Sequence, residues 1–263
     1  MTRIEKRFAQ LKAEGRGAFI PYVTAGDPDL ETTRKIVLAL ADAGADVIEL
    51  GVPFSDPIAD GPVIQRATER ALRNHVRLRD VLRIGAEVRR ESEVPLLLFS
   101  YTNPLLRYGL EKLAADAVAS GFDGILATDL TVEESNEFRR IASDAGLNTV
   151  FLAAPTSSPE RIRKIASVST GFLYAVSRTG VTGERDELSA DLSEFLDAVR
   201  LHTSTPIAVG FGISTPGHVR AVWKQAEGVV VGSAIVAEIE KNTGQPDIAD
   251  RIRALASWLR GAA

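Results

Sequence analysis

The chain has 263 residues, 45% hydrophobic and 25% charged, and can therefore bury one sizeable core. Its formal net charge of −4 gives no basic surface for nucleic acid or an anionic membrane, so we expect a small soluble partner instead. The sequence has no cysteine, which excludes disulfides, thiolate metal sites and cysteine nucleophiles.

The first predicted element is an amphipathic helix at the start of the chain. Ile4, Phe8 and Leu11 share one helical face within residues 1–15. The segment lacks the continuous apolar stretch of a signal peptide or a membrane span. We therefore expect a cytoplasmic protein that does not bind a membrane.

Eight short apolar runs, rich in Val, Ile, Leu and Phe, follow this helix. They are too short for helices and too continuously apolar for half-exposed strands, so they predict parallel strands covered on both faces. The runs are residues 18–24, 46–50, 94–101, 123–128, 148–153, 171–177, 206–211 and 228–233.

Segments with helical spacing lie between these runs, several with a Ser, Thr or Asp cap and a terminal Gly. Examples are residues 29–44, 111–121, 132–146, 158–169, 189–202 and 215–225. The alternation predicts an α/β fold, a (β/α)₈ TIM barrel with an additional N-terminal helix, with an open doubly wound sheet as the alternative. No linker-like change of composition interrupts residues 1–263, so we expect one barrel domain.

Acidic side chains mark the end of the second run. In a barrel, reactive groups lie at the carboxyl ends of strands and in the loops that follow. Glu49 is the penultimate residue of this run, and Asp60 ends the loop after it, just before an amphipathic helix. Burial at the barrel mouth would raise the pKa of Glu49 towards neutrality and suit it to proton transfer. The alternatives are a strand-end cap for Glu49 and turn formation for Asp56 and Asp60.

Glycine-rich endings follow the seventh and eighth runs. They are "GFGIS" (210–214) and "GS" (232–233), and the second opens a helix-like segment, 233–241. Loops in these positions of a barrel form a recurrent phosphate site from backbone N–H groups and a helix dipole, although such glycines also serve simple turns. The loop at 177–191 has the composition of a mobile lid or of an ordinary solvated loop.

The positions of the histidines and lysines are unsuitable for a metal site or for Schiff-base catalysis. The three histidines, at 75, 202 and 218, lie in or beside helical stretches, and all seven lysines are expected on helices. Both placements disfavour a histidine metal site and a Schiff-base lysine. The barrel mouth offers carboxylates and Tyr174 instead, which suits metal-free acid–base chemistry.

Several long motifs resemble the α-subunit family of tryptophan synthase, over essentially the whole chain. They are "ELGVPFSDPIADGPVIQRA" (49–67), "FIPYVTAGDP" (19–28), "YTNPLLRYG" (101–109), "DLTVEES" (129–135), "APTSS" (154–158), "YAVSRTGVTG" (174–183), "GFGIS" and "VGSAIV" (231–236). The resemblance implies a lyase that cleaves indole-3-glycerol phosphate to indole and glyceraldehyde 3-phosphate without metal or Schiff base. It also implies an α2β2 assembly whose β subunit carries pyridoxal phosphate, with no cofactor in this chain.

The resemblance also implies roles for individual residues. Glu49 matches the general acid/base, and Asp60 matches the carboxylate that binds the indole N–H. Expected substrate-binding residues are Tyr174, Thr182, Phe19, Tyr101, Thr128 and Arg178, whereas Ile64 is expected to belong to the core. Expected phosphate-binding residues are Gly183, Phe211, Gly212, Ile213, Gly232 and Ser233. Residues expected at the β-subunit interface are Asp56, Asn103, Pro104 and Thr131.

Thr131 departs from the family pattern, which usually has proline at this position. Threonine frees φ and adds a hydrogen-bond donor, so the loop can differ in rigidity. Two alternative functions remain open from the sequence. One is another phosphate-binding barrel enzyme, such as an isomerase or a prenyltransferase, and the other is a barrel that mainly activates the β subunit without catalysis of its own.

Overall fold

The computed structural model describes residues 1–176, 190–210 and 212–261, and the statements below concern these ranges. Its strands form one parallel sheet in the order β5-β4-β3-β2-β1-β9-β8-β7-β6. They are β1 Ala18–Thr24, β2 Ile48–Gly51, β3 Leu96–Ser100, β4 Gly124–Ala127, β5 Asn148–Val150, β6 Leu152–Ala153, β7 Leu173–Val176, β8 Ile207–Gly210 and β9 Gly228–Val231.

Helices surround this sheet. They are α1 Arg3–Glu14, α2 Leu30–Asp42, α3 Pro62–Arg73, α4 Leu78–Arg89, α5 Thr102–Tyr108, α6 Leu110–Ala119, α7 Asn136–Asp144, α8 Pro159–Val168, α9 Ala190–Arg200, α10 Pro216–Trp223, α11 Ser233–Lys241 and α12 Ile248–Arg260, with a 3₁₀ turn at Val132–Glu134. Three of them, α4, α5 and α12, were not singled out from the sequence. Within the described ranges, no helix has the length and apolarity needed to cross a membrane.

The fifth apolar run forms two strands where the sequence predicted one. The chain leaves regular pairing at Phe151, so that β5 pairs with β4 and β6 pairs with β7. The Phe151 carbonyl still accepts the Tyr174 N–H at 3.0 Å, which carries the ladder across the break. One run thus supplies both end strands and nearly closes the sheet. The predicted barrel with an extra N-terminal helix is confirmed, and the open doubly wound alternative is not formed.

Side chains alternate along the strands between two apolar layers, as the period of two requires. One layer fills the barrel interior, and the other packs between the strands and the helices. The interior layer contains Ala18, Ile20, Val47, Leu97, Leu126, Val150, Phe172, Ala208 and Val230. This layer occupies the lower part of the barrel. The next inward-facing residue of each strand, two positions further along the chain, therefore lies at the barrel mouth.

Helix α1 closes the lower end of the barrel. Its buried residues Ile4, Phe8 and Leu11 join the interior layer, and the Phe8 and Phe172 rings lie 5.7 Å apart. The buried Asp46 carboxylate fixes the helix to the sheet, because it accepts the Phe19 N–H at 2.7 Å and an Arg7 N–H at 2.6 Å. The open end is therefore the one at the carboxyl ends of the strands.

Candidate active site

A cavity of about 520 Å³ lies at the carboxyl ends of the strands. Strand ends and the loops after β2, β8 and β9 supply its wall. The lining residues are Tyr22, Glu49, Ala59, Asp60, Gly61, Ile64, Phe99, Thr128, Leu152, Tyr174, Val176, Gly210, Gly212, Ile213, Ser214, Val230, Gly232, Ser233 and Ala234. The two predicted carboxylates, Glu49 and Asp60, therefore share one cavity.

Glu49 is a fully buried acid in an apolar strand. It lies two residues after Val47 on the inward face of β2, which places its side chain one step above the interior layer. Neither of its carboxyl oxygens accepts a hydrogen bond from any described residue. Burial raises its pKa from 4.5 to about 8, so the carboxyl group holds a proton at neutral pH.

Asp60 differs from Glu49 in its surroundings. It is half-buried, in the loop that leads into α3, whose first residue is Pro62. Burial raises the pKa of Asp60 to about 6, and a hydrogen bond from Tyr101 opposes this rise. At neutral pH the site therefore contains one mainly protonated carboxyl group, on Glu49, and one mainly ionised group, on Asp60.

Tyr101 supports the Asp60 loop from outside the cavity. Its side chain is buried and is not among the residues that line the cavity. The hydroxyl accepts the Ala59 N–H at 3.0 Å and also bonds Asp60. Its ring lies 5.2 Å from the Phe54 ring. Tyr101 thus contacts the loop between β2 and α3 at Phe54 and again at Ala59 and Asp60.

We expect Tyr101→Phe to raise the pKa of Asp60 by up to about one unit, because the hydroxyl favours the ionised carboxylate. A carbon-detected NMR titration of labelled aspartate carboxyl groups measures this shift. Tyr108→Phe is the matched control, since the Tyr108 hydroxyl donates to Asp116 at 2.5 Å, and it should leave Asp60 unchanged. An unaltered Asp60 titration in Tyr101→Phe would contradict the assigned contact.

Two tyrosine side chains each lie across a glycine at the end of the adjacent strand. A side chain at Gly51 would place its Cβ 2.2 Å from the Tyr22 hydroxyl, and one at Gly210 would place its Cβ 2.3 Å from the Tyr174 hydroxyl. Tyr22, which pairs with Glu49 in the β1–β2 register, was not predicted as a site residue. Its hydroxyl group, in an otherwise apolar run, is the feature of the sequence that could have marked Tyr22 as a site residue.

Another part of the cavity wall carries the predicted phosphate-binding groups. Gly212, with a φ of 59°, and Ile213 line it after β8, while Gly232 and Ser233 line it where α11 begins. Backbone N–H groups in the first turn of a helix lack intrahelical acceptors and can bind an anion. No lysine or arginine among the described lining residues contributes a charge here.

His218 lies behind this wall. It is 8% exposed in the first turn of α10, and its Nδ1 accepts the Ser214 N–H at 3.4 Å. The sequence predicted a surface or helix-end residue; His218 does lie at a helix end, but it is buried, and nothing in the sequence indicated this contact. Within the described ranges, no group of three His, Asp or Glu side chains is arranged to hold a metal ion.

Thr128 and Ile64 line the cavity, whereas Phe19 does not. Thr128 also donates its hydroxyl to the Ser100 carbonyl at 3.3 Å. Phe19 is fully buried in the layer between strands and helices, because it has the opposite parity to Ile20 and Tyr22 on β1. Arg178, Thr182, Gly183 and Phe211, like most of the 177–191 loop, lie outside the described residues.

The expected interface residues lie outside the cavity. Asp56 is exposed and accepts the Ser55 hydroxyl at 2.6 Å. Asn103 is exposed and Pro104 half-buried on α5, while the Thr131 hydroxyl donates to Glu134 at 3.0 Å. Within the described ranges, none of these four residues is hydrogen-bonded to Glu49 or Asp60 or lines the cavity.

Comparison with known proteins identifies the family. The model of the family "Tryptophan synthase alpha chain" matches residues 8–260. A tryptophan synthase alpha chain of Solibacter usitatus is 58% identical over 242 residues, covering 92% of this chain and 91% of the relative. One of Geobacter sulfurreducens is 47% identical over 262 residues, covering 100% of this chain and 99% of the relative.

Solved structures agree with this result. The crystal structure of tryptophan synthase subunit alpha from Legionella pneumophila is 39% identical, with a TM-score of 0.91 over 100% of this chain and 98% of that chain. A chain from the tryptophan synthase α2β2 complex of Pyrococcus furiosus is 44% identical, with a TM-score of 0.87 over 93% of this chain and 98% of that chain. The chain therefore belongs to the tryptophan synthase alpha chain family.

Proposed function

We propose that this chain catalyses the metal-free retro-aldol cleavage of indole-3-glycerol phosphate to indole and glyceraldehyde 3-phosphate. The main support is the pairing, in one cavity, of a buried Glu49 with a pKa near 8 and an Asp60 with a pKa near 6. Such a pair offers a proton donor and a stabilising anion at the same pH. Family membership supplies the substrate.

Glu49 acts as the proton shuttle in this proposal. Its protonated carboxyl group donates a proton to indole C3, which makes the ring an electron sink. The resulting Glu49 carboxylate then takes the proton of the glycerol hydroxyl group next to the scissile bond. As the aldehyde forms, the C–C bonding electrons return to the ring and release neutral indole, so Glu49 ends protonated as it began. Each such proton transfer contributes typically ~10²–10⁴-fold to the rate.

Asp60 stabilises the charge that this protonation creates. Its carboxylate accepts the indole N–H and balances the positive charge of the C3-protonated ring. The pKa of about 6 leaves this group mainly ionised at neutral pH, as the role requires. The nearby apolar side chains of Phe99, Leu152 and Ile64 suit the faces of an indole ring.

Neutral donors would bind the phosphate group. The N–H groups around Gly212, Gly232 and Ser233, with the dipole of α11, provide a site in the cavity wall. Gly183 and Phe211 are assigned to the same site from the sequence. Thr182 and Arg178 are assigned to the loop that would close over the ligand, with Thr182 reaching towards Asp60.

A β subunit that carries pyridoxal phosphate is the proposed partner in an α2β2 complex, and indole would pass to it. The similar Pyrococcus furiosus chain, solved in an α2β2 complex, supports this assignment. The proposed contact residues are Asp56, Asn103, Pro104 and Thr131, and the loop that contains Asp56 also carries the strongly exposed Ile58. Thr131 replaces the usual proline, so coupling to the partner can differ in strength.

An assay of indole release tests the proposal. We expect the isolated chain to release indole from indole-3-glycerol phosphate, and to do so faster after a β subunit is added. No indole under either condition would reject the lyase assignment. Activation of the β subunit without any indole release would favour a purely activating role.

A further inference from the structure

A chain of ion pairs connects three segments next to the cavity. Arg70 binds both oxygens of Asp27, at 2.7 and 2.9 Å, and its remaining nitrogen binds Glu240 at 2.7 Å. Arg66 binds both oxygens of the same Glu240, at 2.8 and 2.7 Å. We call Asp27, Arg70, Glu240 and Arg66 the ion-pair chain. Hydrogen bonding from Arg66 is the largest cause that lowers the pKa of Glu240, to about 2, so this carboxylate stays ionised.

The ion-pair chain joins the two helices whose first turns face the cavity. Arg66 and Arg70 lie one turn apart on α3, which begins two residues after Asp60. Glu240 lies near the end of α11, which begins at Ser233. Arg70 is eight residues from the start of α3, about 12 Å, and Glu240 is seven residues from the start of α11, about 10 Å. The ion pairs therefore fix the two helices at similar depths.

Apolar packing also holds the same two helices together, but it specifies their relative position along the helix axis less strictly than ion pairs do. Ile64 and Ala67 of α3 meet Val236 of α11 in a small cluster that also contains Tyr22. Such contacts are non-directional. The two-oxygen contact of Arg66 with Glu240 and the single contact of Arg70 with Glu240 are directional, and they resist a shift of α11 along α3.

We infer that the ion-pair chain is a positioning device that sets the distance between Asp60 and the phosphate-binding start of α11. This inference rests on the proposed function, because it assumes a ligand that spans the cavity from the indole end to the phosphate end. If α11 slides so that Arg66 keeps only one of its two hydrogen bonds to Glu240, the Ser233 N–H moves relative to Asp60. Ligand affinity then falls, while the chemistry at Glu49, on β2, changes little.

Glu240 is the best residue for the test. Asp27 is 1% exposed, and removing Arg70 would strand its buried carboxylate and threaten the fold. Glu240→Gln keeps the Asp27–Arg70 pair and weakens only the connection between α3 and α11. Glu91→Gln is the matched control, since it removes the partner of Arg34 in a 2.7 Å ion pair whose residues do not line the cavity.

The experiment compares wild type, Glu240→Gln, Arg66→Met, the double variant and Glu91→Gln. Calorimetry gives the Kd of indole-3-propanol phosphate, an unreactive ligand that carries both the indole ring and the phosphate group, and indole release gives KM and kcat. We expect Glu240→Gln and Arg66→Met each to raise Kd and KM about 3–10-fold with kcat within about twofold, and the double variant to show no further loss. Glu91→Gln should match wild type.

The outcomes separate the inference from the proposed function. Unchanged Kd in a folded Glu240→Gln variant would overturn the inference, as would an equal loss in Glu91→Gln or a loss confined to kcat. Wild type that binds indole-3-propanol phosphate without releasing indole from indole-3-glycerol phosphate would reject the proposed lyase, while the Kd series would still decide on the ion-pair chain. Wild type that binds no phosphate ligand would overturn both.

Discussion

Glu49→Gln is expected to reduce indole release by roughly 10²–10⁴-fold while the barrel stays folded. Glutamine has nearly the same shape as a protonated glutamic acid and fits the same buried position, but it cannot donate and recover a proton. Steady-state kinetics with indole-3-glycerol phosphate measure the loss, and calorimetry with glycerol 3-phosphate should give an unchanged Kd. Substantial turnover by the folded variant would remove Glu49 from the central role.

The pH dependence of stability provides a second measurement on the same variant. Burial raises the pKa of Glu49 from 4.5 to about 8. Between these values the folded chain keeps a proton that the unfolded chain has released, so the free energy of unfolding falls as pH rises. The slope from this group is about 1 kcal/mol per pH unit. Urea titrations at several pH values should show Glu49→Gln gaining stability over wild type from pH 5 to 8, and parallel curves would contradict the burial of an unpaired acid.

Asp60→Asn is expected to lower kcat about 10²–10³-fold, because the amide still accepts the indole N–H but no longer balances the positive ring. Asp56→Asn, four residues earlier in the same loop, is the matched control. Asp56 is exposed and lies outside the cavity, so the isolated control variant should keep wild-type turnover. Equal losses in the two variants would mean that the loop, rather than the Asp60 charge, matters.

The activity of wild type against pH should also distinguish the two acids. Asp60 must be ionised, so kcat/KM should fall below its pKa of about 6, and Glu49 must be protonated, so kcat/KM should fall above its pKa of about 8. Asp60→Asn should lose the acidic limb and keep the basic one. An acidic limb that survives in the variant would assign that limb to another group.

The fold was predictable because its strands are buried on both faces. Continuous apolar runs between capped helices are typical of a parallel barrel, and Glu49 stands out as an acid within such a run. Because both faces of β1 are buried, the sequence does not show which of its side chains face the barrel interior. Phe19 and Tyr22 are both buried, and only the packing of α1 against Ile20 decides which of them faces inward. The break at Phe151 depends on closure of the sheet, which no local pattern records.

The supporting residues of the site were less predictable for a related reason. Tyr101 reaches the Asp60 loop through a hydrogen bond to Ala59, 42 residues away in sequence. Arg70 joins Asp27 and Glu240 across separations of 43 and 170 residues. Motif spacing reports the residues that touch a ligand, whereas contacts between distant segments become visible only when the chain is folded.

Closure of the lower barrel end by α1 has a kinetic consequence. Because Ile4, Phe8 and Leu11 fill that end, substrate and products cannot pass through the lower end of the described barrel and use the mouth at the carboxyl ends of the strands. Substrate entry and the departure of both products then compete for one passage. A subunit that covers this mouth would control the order in which the products leave. Product release through the partner can then be the slowest step of turnover, even when this chain breaks the bond.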